Sequence, residues 1–215
     1  LSLAIRGNTL CRTAQDVFQS VASFSFIAVA LEIFTPLSLG GTIHIAGDAL
    51  RKDAQALVEH MHKHGITTSF FPPQMARIVL PQLENQLSSM VVGSDRVIAL
   101  HSDRVRIFNS YGCSETCGPM TSFEIDRAYP DITPIGSAYA ASRIYILDDD
   151  GNRLPDGHEG EICISGQIAK GYLNLPELTA ERFIPNPFSQ GEDDKILFRT
   201  NDIGRINENG QLEYV

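Results

Sequence analysis

The fold class of this chain is decided by one stretch, TIHIAGDALRKDAQALVEHMHKHGITTSF, at residues 42–70. It opens with TIHIA and closes with ITTSF, two segments with the β-branched composition of short strands. Between them, apolar residues recur at helical spacing, at Leu50, Ala54, Leu57, Val58 and Met61. We expect Asp48 to cap this helix and Gly65 to end it. A strand, a helix and a second strand in this order predict a parallel βαβ unit.

Two further strand-like runs follow, SSMVV at residues 88–92 and VRIF at residues 105–108. Each leads into a loop that contains glycine. Ligands bind at the carboxyl ends of the strands in open parallel sheets. We therefore expect Gly93, Ser94 and residues 109–115 to lie on one edge of the sheet.

The pattern changes after about Ile132, where short strands alternate with turn residues. The strand-like segments are RIYILD, EICISG, ILFRT and LEYV, and Pro176 introduces one short helix, ELTAERF. We predict an α/β fold in which a parallel βαβ lobe at residues 1–131 is followed by a smaller β-rich lobe, a distorted barrel, at residues 132–215.

The charge of the chain disfavours two classes of partner. The formal net charge is −9, which repels nucleic-acid phosphates and anionic lipid, and no compact Lys/Arg cluster offsets it. The longest uncharged stretch, residues 17–31, is shorter than the roughly 20 apolar residues that cross a bilayer. We therefore expect neither a nucleic-acid nor a membrane partner. Because Leu1 is not methionine and no signal peptide follows, we expect an internal piece of a cytoplasmic protein.

The cysteines and histidines form no strong metal-binding pattern. No C-x-x-C pair occurs among the four cysteines, Cys11, Cys113, Cys117 and Cys163. Free thiols are therefore expected, and not a zinc site or a disulfide framework. The run EHMHKHG places His60, His62 and His64 near the expected helix end. Alternate residues point to different faces of a helix, which favours a solvated terminus over a metal site.

A second stretch, NSYGCSETCG at residues 109–118, carries the candidate chemistry. It nearly fits the G-x-S-x-G elbow of a hydrolase. However, Thr116 replaces the second glycine, and Gly118 with Pro119 would break the helix that an elbow needs. A capping turn, in which serine and glutamate satisfy backbone groups, is a second interpretation.

A nucleotide site is the third interpretation, and it uses every residue of the stretch. Tyr111 can stack on a base, and Gly112 lets the backbone approach a ligand. The hydroxyls of Ser114 and Thr116 can bond to phosphate oxygens, and Glu115 can hold Mg²⁺.

Several motifs, in the same order, resemble those of the adenylate-forming superfamily. NSYGCSE resembles N-x-Y-G-x-S/T-E, and residues 160–183 are similar to the run G-E-L-C-I-x-G-x-G-x-A-x-G-Y-x-x-x-P-E-L-T-x-x-x-F. FRTNDIGR at residues 198–205 resembles Y-R/K-T-G-D-x-x-R, and NGQLEY at residues 209–214 resembles D-G-x-I-E-Y. Residues 23–41 resemble the segment that lines the acyl pocket. The likeness covers nearly the whole chain and is greatest to nonribosomal peptide synthetase adenylation domains, in the C-terminal part of their large N-terminal subdomain.

The resemblance implies a role for each motif residue. Glu115 would bind Mg²⁺, and Ser114 and Thr116 would be catalytic residues that face the phosphates and the acyl-adenylate. Tyr111 would stack on adenine. Asp202 would accept hydrogen bonds from both ribose hydroxyls, since one fixed carboxylate suits a vicinal diol. Two residues would line the adenine slot and one would pack on the ribose, namely Gly93, Asn109 and Tyr214.

Some motif positions are expected to be structural, and others depart from the family. The family uses Gly160, Gly171, Tyr172 and Arg182 to build fold contacts. Asn201 replaces the glycine of T-G-D, and asparagine tolerates the positive φ that this position requires. Cys113 stands where the family usually has proline.

Ile27 is the most informative departure. Amino-acid-activating members have aspartate at this position, where it pairs with the α-ammonium of the substrate. Isoleucine cannot offset the desolvation of that cation. The other aligned pocket residues are mostly apolar or small: Ala28, Leu31, Phe70, Met90, Val92, Ser110, Gly118 and Pro119. We therefore expect an acid without an α-amino group, such as an α-keto, α-hydroxy, aryl or fatty acid, unless another loop supplies a carboxylate.

The resemblance also implies what the whole enzyme needs. ATP, Mg²⁺ and a phosphopantetheine thiol on a carrier domain would be its cofactors, and other synthetase domains would be partners. Neither the phosphate loop T-S-G-T-T-G-x-P-K-G nor the C-terminal domain with the catalytic lysine is found in these residues. We expect the segment to end just before the hinge and to be inactive alone. A non-catalytic interaction lobe and an acyl-CoA ligase are the alternatives.

Overall fold

A computed structural model describes residues 13–139 and 142–215 of the chain. The chain divides into two compact units. The first unit comprises residues 1–110 and 124–133, and the second comprises residues 111–123 and 134–215. The domain limits predicted from the sequence, 1–131 and 132–215, stay a prediction. Cys11 lies outside the described residues.

The first unit contains a parallel sheet and three helices. Its strands are β1 (Val17–Ser20), β2 (Thr42–Ile45), β3 (Thr68–Phe71), β4 (Ser89–Gly93) and β5 (Arg106–Cys113), of which the part up to Ser110 belongs to this unit. Its helices are α1 (Ala28–Ser38), α2 (Ala54–His64) and α3 (Pro73–Leu83). The strands lie in the order β2-β1-β3-β4-β5, and every pair is parallel. The predicted strand–helix–strand unit, now β2-α2-β3, is confirmed.

Helix α2 has a side-chain cap at one end and a glycine at the other. The Asp53 carboxylate accepts a hydrogen bond from the Ala56 backbone N–H at 3.0 Å. Gly65 follows the helix with a φ of 60°, in the left-handed region. The prediction that Gly65 ends the helix is confirmed. The prediction that Asp48 caps α2 is wrong, because a separate 3₁₀ turn at Leu50–Lys52 lies between Asp48 and the start of α2.

The ends of β3 and β5 differ from the sequence prediction. Strand β3 continues to Phe71, and Pro73 then opens α3, where the fixed φ of proline suits the first turn. Strand β5 continues past VRIF to Cys113. Its pairing with β4 extends as far as Gly93 and Ser110. Local periodicity cannot show this extension, because the partner strand supplies the hydrogen bonds.

The second unit is rich in antiparallel strands. They are β6 (Gly118–Glu124, up to Phe123 in this unit), β7 (Ser137–Ala138), β8 (Ser142–Leu147), β9 (Gly160–Gly166), β10 (Phe183–Pro185), β11 (Ile196–Ile206) and β12 (Leu212–Tyr214), with helix α4 (Pro176–Arg182). Strands β10, β11, β9 and β8 form one antiparallel sheet, and β12 pairs with β11. Its core is made by Met120, Ile135, Ile146, Ile162, Ile164 and Leu212.

The predicted fold class is confirmed: a parallel βαβ lobe is followed along the chain by a smaller β-rich lobe. Cys113, Cys117 and Cys163 are free thiols, as expected for these three. In the described part of the chain, no helix has both the length and the apolar character needed to cross a membrane.

Candidate functional site

The second unit brings Tyr111, Asp202 and Tyr214 together. The Tyr111 hydroxyl donates a hydrogen bond to Asp202 Oδ2 at 2.6 Å. The rings of Tyr111 and Tyr214 are stacked, with centroids 6.3 Å apart and planes inclined by 29°. Both rings pack against the core of this unit. Burial, and then the hydrogen bond to Asp202, raise the pKa of Tyr111, so the phenol stays protonated and remains a donor.

An irregularity in β11 presents Asp202. The register between β11 and β9 shifts between Arg199 and Ile203. Within the shift Asn201 has a φ of 61°, and its backbone N–H donates to Glu161 Oε1 at 2.9 Å. The prediction that Asn201 can hold a positive φ is confirmed. The strand therefore changes direction locally, without a glycine, at the residue before Asp202.

Residues Ser114–Thr116 form a 3₁₀ turn. Thr116 is fully buried. Its Oγ1 accepts a hydrogen bond from the Cys113 backbone N–H at 3.0 Å and donates to the Gly118 carbonyl at 2.8 Å. Ser114, by contrast, is exposed. The two predicted catalytic hydroxyls thus have different environments, and the predicted contact of Thr116 with phosphate stays a prediction.

The backbone around this turn comes very close to itself. A Cβ atom on Gly112 would lie 2.4 Å from the Gly118 carbonyl oxygen and 2.8 Å from Pro119 Cα. Glycine is therefore required here by a neighbouring backbone segment. Strand β6 begins directly at Gly118, so the helix that a hydrolase elbow needs does not follow the turn.

Glu115 is half-buried and held by two contacts. The Tyr172 hydroxyl donates to Glu115 Oε1 at 2.6 Å, and the Glu115 carbonyl accepts from the Ala169 N–H at 2.6 Å. Burial by itself would raise the pKa of Glu115, but the hydrogen bond from Tyr172 and weaker contributions outweigh it, and the pKa is lowered. Burial, followed by the same hydrogen bond, raises the pKa of Tyr172 to about 12. An ionised carboxylate is a ligand of the kind that Mg²⁺ takes, so Glu115 fits its predicted role.

Tyr172 is a functional candidate that sequence reasoning missed. It lies 57 residues from Glu115 along the chain, and the family motif pointed only to fold contacts. Its backbone N–H donates to Thr179 Oγ1 at 2.9 Å, which ties it to α4. The hydroxyl of Tyr172 was the only sign of this role in the sequence, because phenylalanine would serve equally well for packing alone.

Gly93 is the last residue of β4, as predicted, whereas Asn109 lies inside β5, opposite Val92 of β4. Gly93 is in register with Ser110, and a Cβ atom on Gly93 would lie 2.5 Å from the Ser110 carbonyl oxygen. Asn109 is 1% exposed, and its Nδ2 donates to the Thr133 carbonyl at 3.3 Å. The first unit thus has a glycine and a fixed amide on neighbouring strands, with the glycine at the ligand-binding edge of its sheet.

The predicted acyl-pocket residues of the first unit differ in burial. Leu31 and Phe70 pack together in an apolar cluster, and Met90 and Val92 are fully buried in β4. Ile27 is half-buried at the start of α1, and its side chain makes no capping hydrogen bond there. Sequence alone could not separate residues that fill the core from those that line open space.

An open cleft of about 440 Å³ lies in the first unit, with Ala28 and Phe70 in its wall. The wall is mostly apolar, but it also contains Arg51 and Asp95. The Asp95 carboxylate accepts a hydrogen bond from Gln74, which lowers the pKa of Asp95. The cleft therefore contains a carboxylate that the sequence motifs did not assign to it.

Glu32, one turn along α1, is engaged inside the first unit. It is 0% exposed. Its carboxylate accepts from Ser20 Oγ at 2.7 Å and from the backbone N–H groups of Val21 at 3.3 Å and Ala22 at 3.0 Å. Burial raises the pKa of Glu32 in spite of these bonds. Both oxygens hold the segment after β1, and Glu32 is therefore a structural carboxylate.

The chain is similar in sequence to one enzyme family and to large synthases within it. Residues 2–173 match the family described as AMP-binding enzyme. Bacitracin synthase 1 from Bacillus licheniformis is 35% identical over 195 residues, which cover 90% of this chain and 4% of the synthase. Tyrocidine synthase 3 from Brevibacillus parabrevis is 32% identical over 211 residues, which cover 93% of this chain and 3% of the synthase.

Solved structures show the same similarity. NpsA-ThdA, an artificially fused adenylation–PCP di-domain from Klebsiella oxytoca, has a TM-score of 0.82 at 26% identity, over 96% of this chain and 40% of that chain. The Klebsiella oxytoca NpsA N-terminal subdomain in complex with 3-hydroxybenzoyl-AMSN has a TM-score of 0.82 at 25% identity. The match covers 99% of this chain and 58% of that chain. The chain thus spans only a small part of the two synthases and about half of the two solved chains.

Proposed function

The chain belongs to the AMP-binding enzyme family, and from this premise we propose that it is part of an adenylation domain that activates a carboxylic acid. A carboxylate oxygen of the substrate attacks the α-phosphorus of ATP. The bond from that phosphorus to pyrophosphate breaks, which leaves an acyl-adenylate and pyrophosphate. A phosphopantetheine thiol on a carrier domain then takes the acyl group, and AMP departs.

One observation carries this proposal: Tyr111, Asp202 and Tyr214 meet at one place in the second unit. Stacking of adenine on Tyr111 uses its aromatic face. The Asp202 carboxylate suits the two ribose hydroxyls. When ribose binds, its hydroxyls would compete with the Tyr111 hydroxyl for the hydrogen bond to Asp202 Oδ2. Tyr214 packs on the ribose. The adenine-slot role of Gly93 and Asn109, which belong to the first unit, stays a prediction from the family resemblance.

The turn at Ser114–Thr116 supplies the groups that meet the phosphates. Glu115 is the proposed Mg²⁺ ligand, and an ion held there would neutralise charge on the phosphates. In this proposal Ser114 would face the phosphates, which its exposure allows, whereas Thr116 holds the turn from inside. Tyr172 is a positioning residue, because it orients Glu115 and keeps it ionised.

For the substrate, we propose an acid without an α-amino group, such as an α-keto, α-hydroxy or aryl acid. Ile27 offers no partner for an ammonium, and Glu32 is committed to the fold. The NpsA complexes contain 3-hydroxybenzoyl-AMSN and anthranilyl-AMSN, whose acyl carbonyls are attached to an aromatic ring. These ligands support the aryl acids in particular.

Amino-acid activation is a second candidate, and Asp95 favours it. Its carboxylate lies in the wall of the same cleft as Ala28 and Phe70. The low pKa of Asp95 keeps it charged, so it could pair with an ammonium in place of the missing aspartate. The two candidates differ only in the group attached next to the substrate carboxyl.

Pyrophosphate exchange by the enzyme that contains this chain separates the two. The substrates are the amino, hydroxy and keto acids of one carbon skeleton, and benzoic acids. We expect exchange with hydroxy, keto or aryl acids to exceed that with the amino acid by at least about tenfold, the equivalent of about 1.4 kcal/mol. A preference for the amino acid that disappears in Asp95→Asn would establish the second candidate instead.

For the protein as a whole, we propose a cytoplasmic enzyme with a carrier domain and other synthetase domains as partners, and no turnover by these 215 residues alone. Transfer from the adenylate to coenzyme A, and not to a carrier, would identify an acyl-CoA ligase. ATP binding without exchange for any acid would identify a non-catalytic lobe.

A further inference from the structure

Three histidines meet in the first unit, and none of them has a role in the proposed function. His44 lies on strand β2, and His60 and His64 lie on helix α2. The ring centroids are 4.3 Å apart for His60 and His64, 4.5 Å for His44 and His64, and 5.8 Å for His44 and His60. One potential ligand nitrogen from each ring lies within 4.8 Å of the other two. Such a meeting of three imidazoles has the composition of a transition-metal site.

The spacing along α2 explains the pair. Residues four apart lie one above the other on the same face of a helix, so His60 and His64 are neighbours. His62, between them, points elsewhere, and its Nδ1 lies 2.7 Å from Gln86 Oε1. The alternation of the three helix histidines disfavours a metal site when they are taken together. However, this pattern also contains a pair on one face of the helix, His60 and His64, which the interpretation overlooks. The pattern gives no indication that His44, on β2, joins them.

Both elements that carry the rings are held in place. Strand β2 pairs with β1, where His44 is in register with Gln19, and Gln19 Nε2 donates to the His44 carbonyl at 2.9 Å. Helix α2 is capped by Asp53 and terminated by Gly65. Sites built on strands and helices hold their ligands more precisely than sites on loops.

His60 Nε2 is a further sign of a missing ligand. This nitrogen is buried, and no group in the described part of the chain hydrogen-bonds to it. A buried polar atom without a partner is costly and rare in native structures. A cation bound between the three rings would satisfy it.

We propose that His44, His60 and His64 bind one Zn²⁺, or a similar transition-metal ion, with water in the remaining position. Zn–N bonds of about 2.0–2.1 Å place the nitrogens of a tetrahedral site about 3.3 Å apart, so small rotations of the rings close the site. The ion would link β2 to α2 and stabilise the first unit. Its imidazole ligands separate it from the carboxylate chemistry proposed for Glu115, since soft and borderline ions prefer nitrogen and Mg²⁺ prefers oxygen.

Isothermal titration of the tag-free, chelator-treated chain with Zn²⁺ tests this proposal. We expect one ion per chain, and an affinity that falls by more than about 100-fold in His44→Ala, His60→Ala and His64→Ala, since even outer-shell partners are worth about 10- to 100-fold. His62→Ala is the matched control, because it removes an imidazole from the same helix. It should change the affinity less than about twofold.

Two further measurements keep the test decisive if a variant folds poorly. Circular dichroism in EDTA shows whether each variant is folded, and His60→Gln, which fills more of the space, replaces His60→Ala if that variant is not. Co²⁺ titration should give the intense visible absorption of a tetrahedral site in the unmodified chain and not in the His44, His60 or His64 variants. Equal Zn²⁺ affinity of the unmodified chain and the three variants, or equal loss in His62→Ala, would overturn the proposal.

Discussion

The Tyr172 phenol holds Glu115 in both position and charge. Its hydroxyl donates to Glu115 Oε1 at 2.6 Å and opposes the effect of burial on the pKa of that carboxyl. A metal ligand held in this way is pre-oriented, and outer-shell partners of this kind affect metal affinity strongly. Tyr172 therefore belongs to the candidate site although it need not touch the nucleotide.

Tyr172→Phe should weaken Mg²⁺-dependent nucleotide binding by about 10- to 100-fold. Without the phenol, the pKa of Glu115 rises. As the pH is lowered, the variant should therefore lose nucleotide binding at a higher pH than the unmodified chain does. Titration of nucleotide with Mg²⁺ at several pH values measures both effects. Tyr129→Phe is the control, since its hydroxyl donates to Asp126 at 2.8 Å in the first unit. Identical pH profiles for Tyr172→Phe and the unmodified chain would rule out the positioning role.

Glu32 predicts a pH dependence of stability. Burial raises the pKa of Glu32 in the folded state above its unfolded value. The folded state therefore binds more protons between the two values, and this group adds stability as the pH falls through that window. At higher pH the buried carboxylate is charged, and its contribution is lost.

Glu32→Gln removes this dependence, because glutamine does not titrate. We expect the free energy of unfolding of the unmodified chain, relative to Glu32→Gln, to increase as the pH is lowered from 8 towards about 5. Urea unfolding across that range measures it. Glu59→Gln, on the exposed side of α2, controls for the loss of one negative charge. The argument fails if the two variants show the same pH trend.

At the scale of elements, α2 shows how two nearby aspartates differ. Asp53 accepts from the Ala56 N–H and satisfies a backbone group that would otherwise lack a partner. Asp48 lies five residues earlier and makes an ion pair with Arg51 at 3.0 Å, with its own side chain 86% exposed. Exposed ion pairs contribute little to stability.

Asp53→Ala should lower the free energy of unfolding by about 1 kcal/mol, the usual loss for an N-cap. Asp48→Ala should change it by less than about 0.5 kcal/mol. Urea unfolding of the two variants, side by side, measures the difference. Equal losses would mean that the cap contributes no more than an exposed ion pair.

Strand β5 shows why element ends were harder to predict than elements. Its apolar run VRIF was recognisable, but the strand continues through residues 109–113, which are polar or small apart from one tyrosine. Hydrogen bonds from β4 support it as far as Ser110. Propensity describes a residue's own preference, and pairing with a distant strand overrides it.

For the whole molecule, our proposal makes the substrate class depend on the charge available near the predicted acyl pocket. Ile27 directly precedes α1 and is next in sequence to Ala28 of the cleft wall, although Ile27 does not itself line the cleft. A carboxylate at position 27 would restore the group that amino-acid-activating members use. That carboxylate would be a possible partner for an ammonium in addition to Asp95, which isoleucine is not.

Ile27→Asp should therefore raise the ratio of amino-acid to hydroxy-acid activation by at least about tenfold. Pyrophosphate exchange by the enzyme that contains this chain measures the ratio. Ile27→Asn is the matched control, since it is nearly the same size as aspartate but uncharged. If Asn and Asp change the ratio equally, polarity and not charge decides, and our account of the pocket is wrong.

The amino-acid sequence by itself determined the βαβ unit at residues 42–70, the two strands that follow it, the β-rich character of the second unit and the family. These features rest on periodicity, caps and contiguous motifs, whose physical causes act over a few residues. The positive φ of Asn201 was predictable for the same reason.

Only the tertiary structure decided which distant residues meet. Tyr172 reaches Glu115 from 57 residues away, Asp95 enters the cleft wall, and His44 joins two helix histidines across β2 and α2. The side chain of Thr116 is fully buried, which its motif does not indicate. Such contacts depend on how strands pair and helices pack. This packing brings together side chains that are far apart in sequence, and no local sequence pattern indicates it.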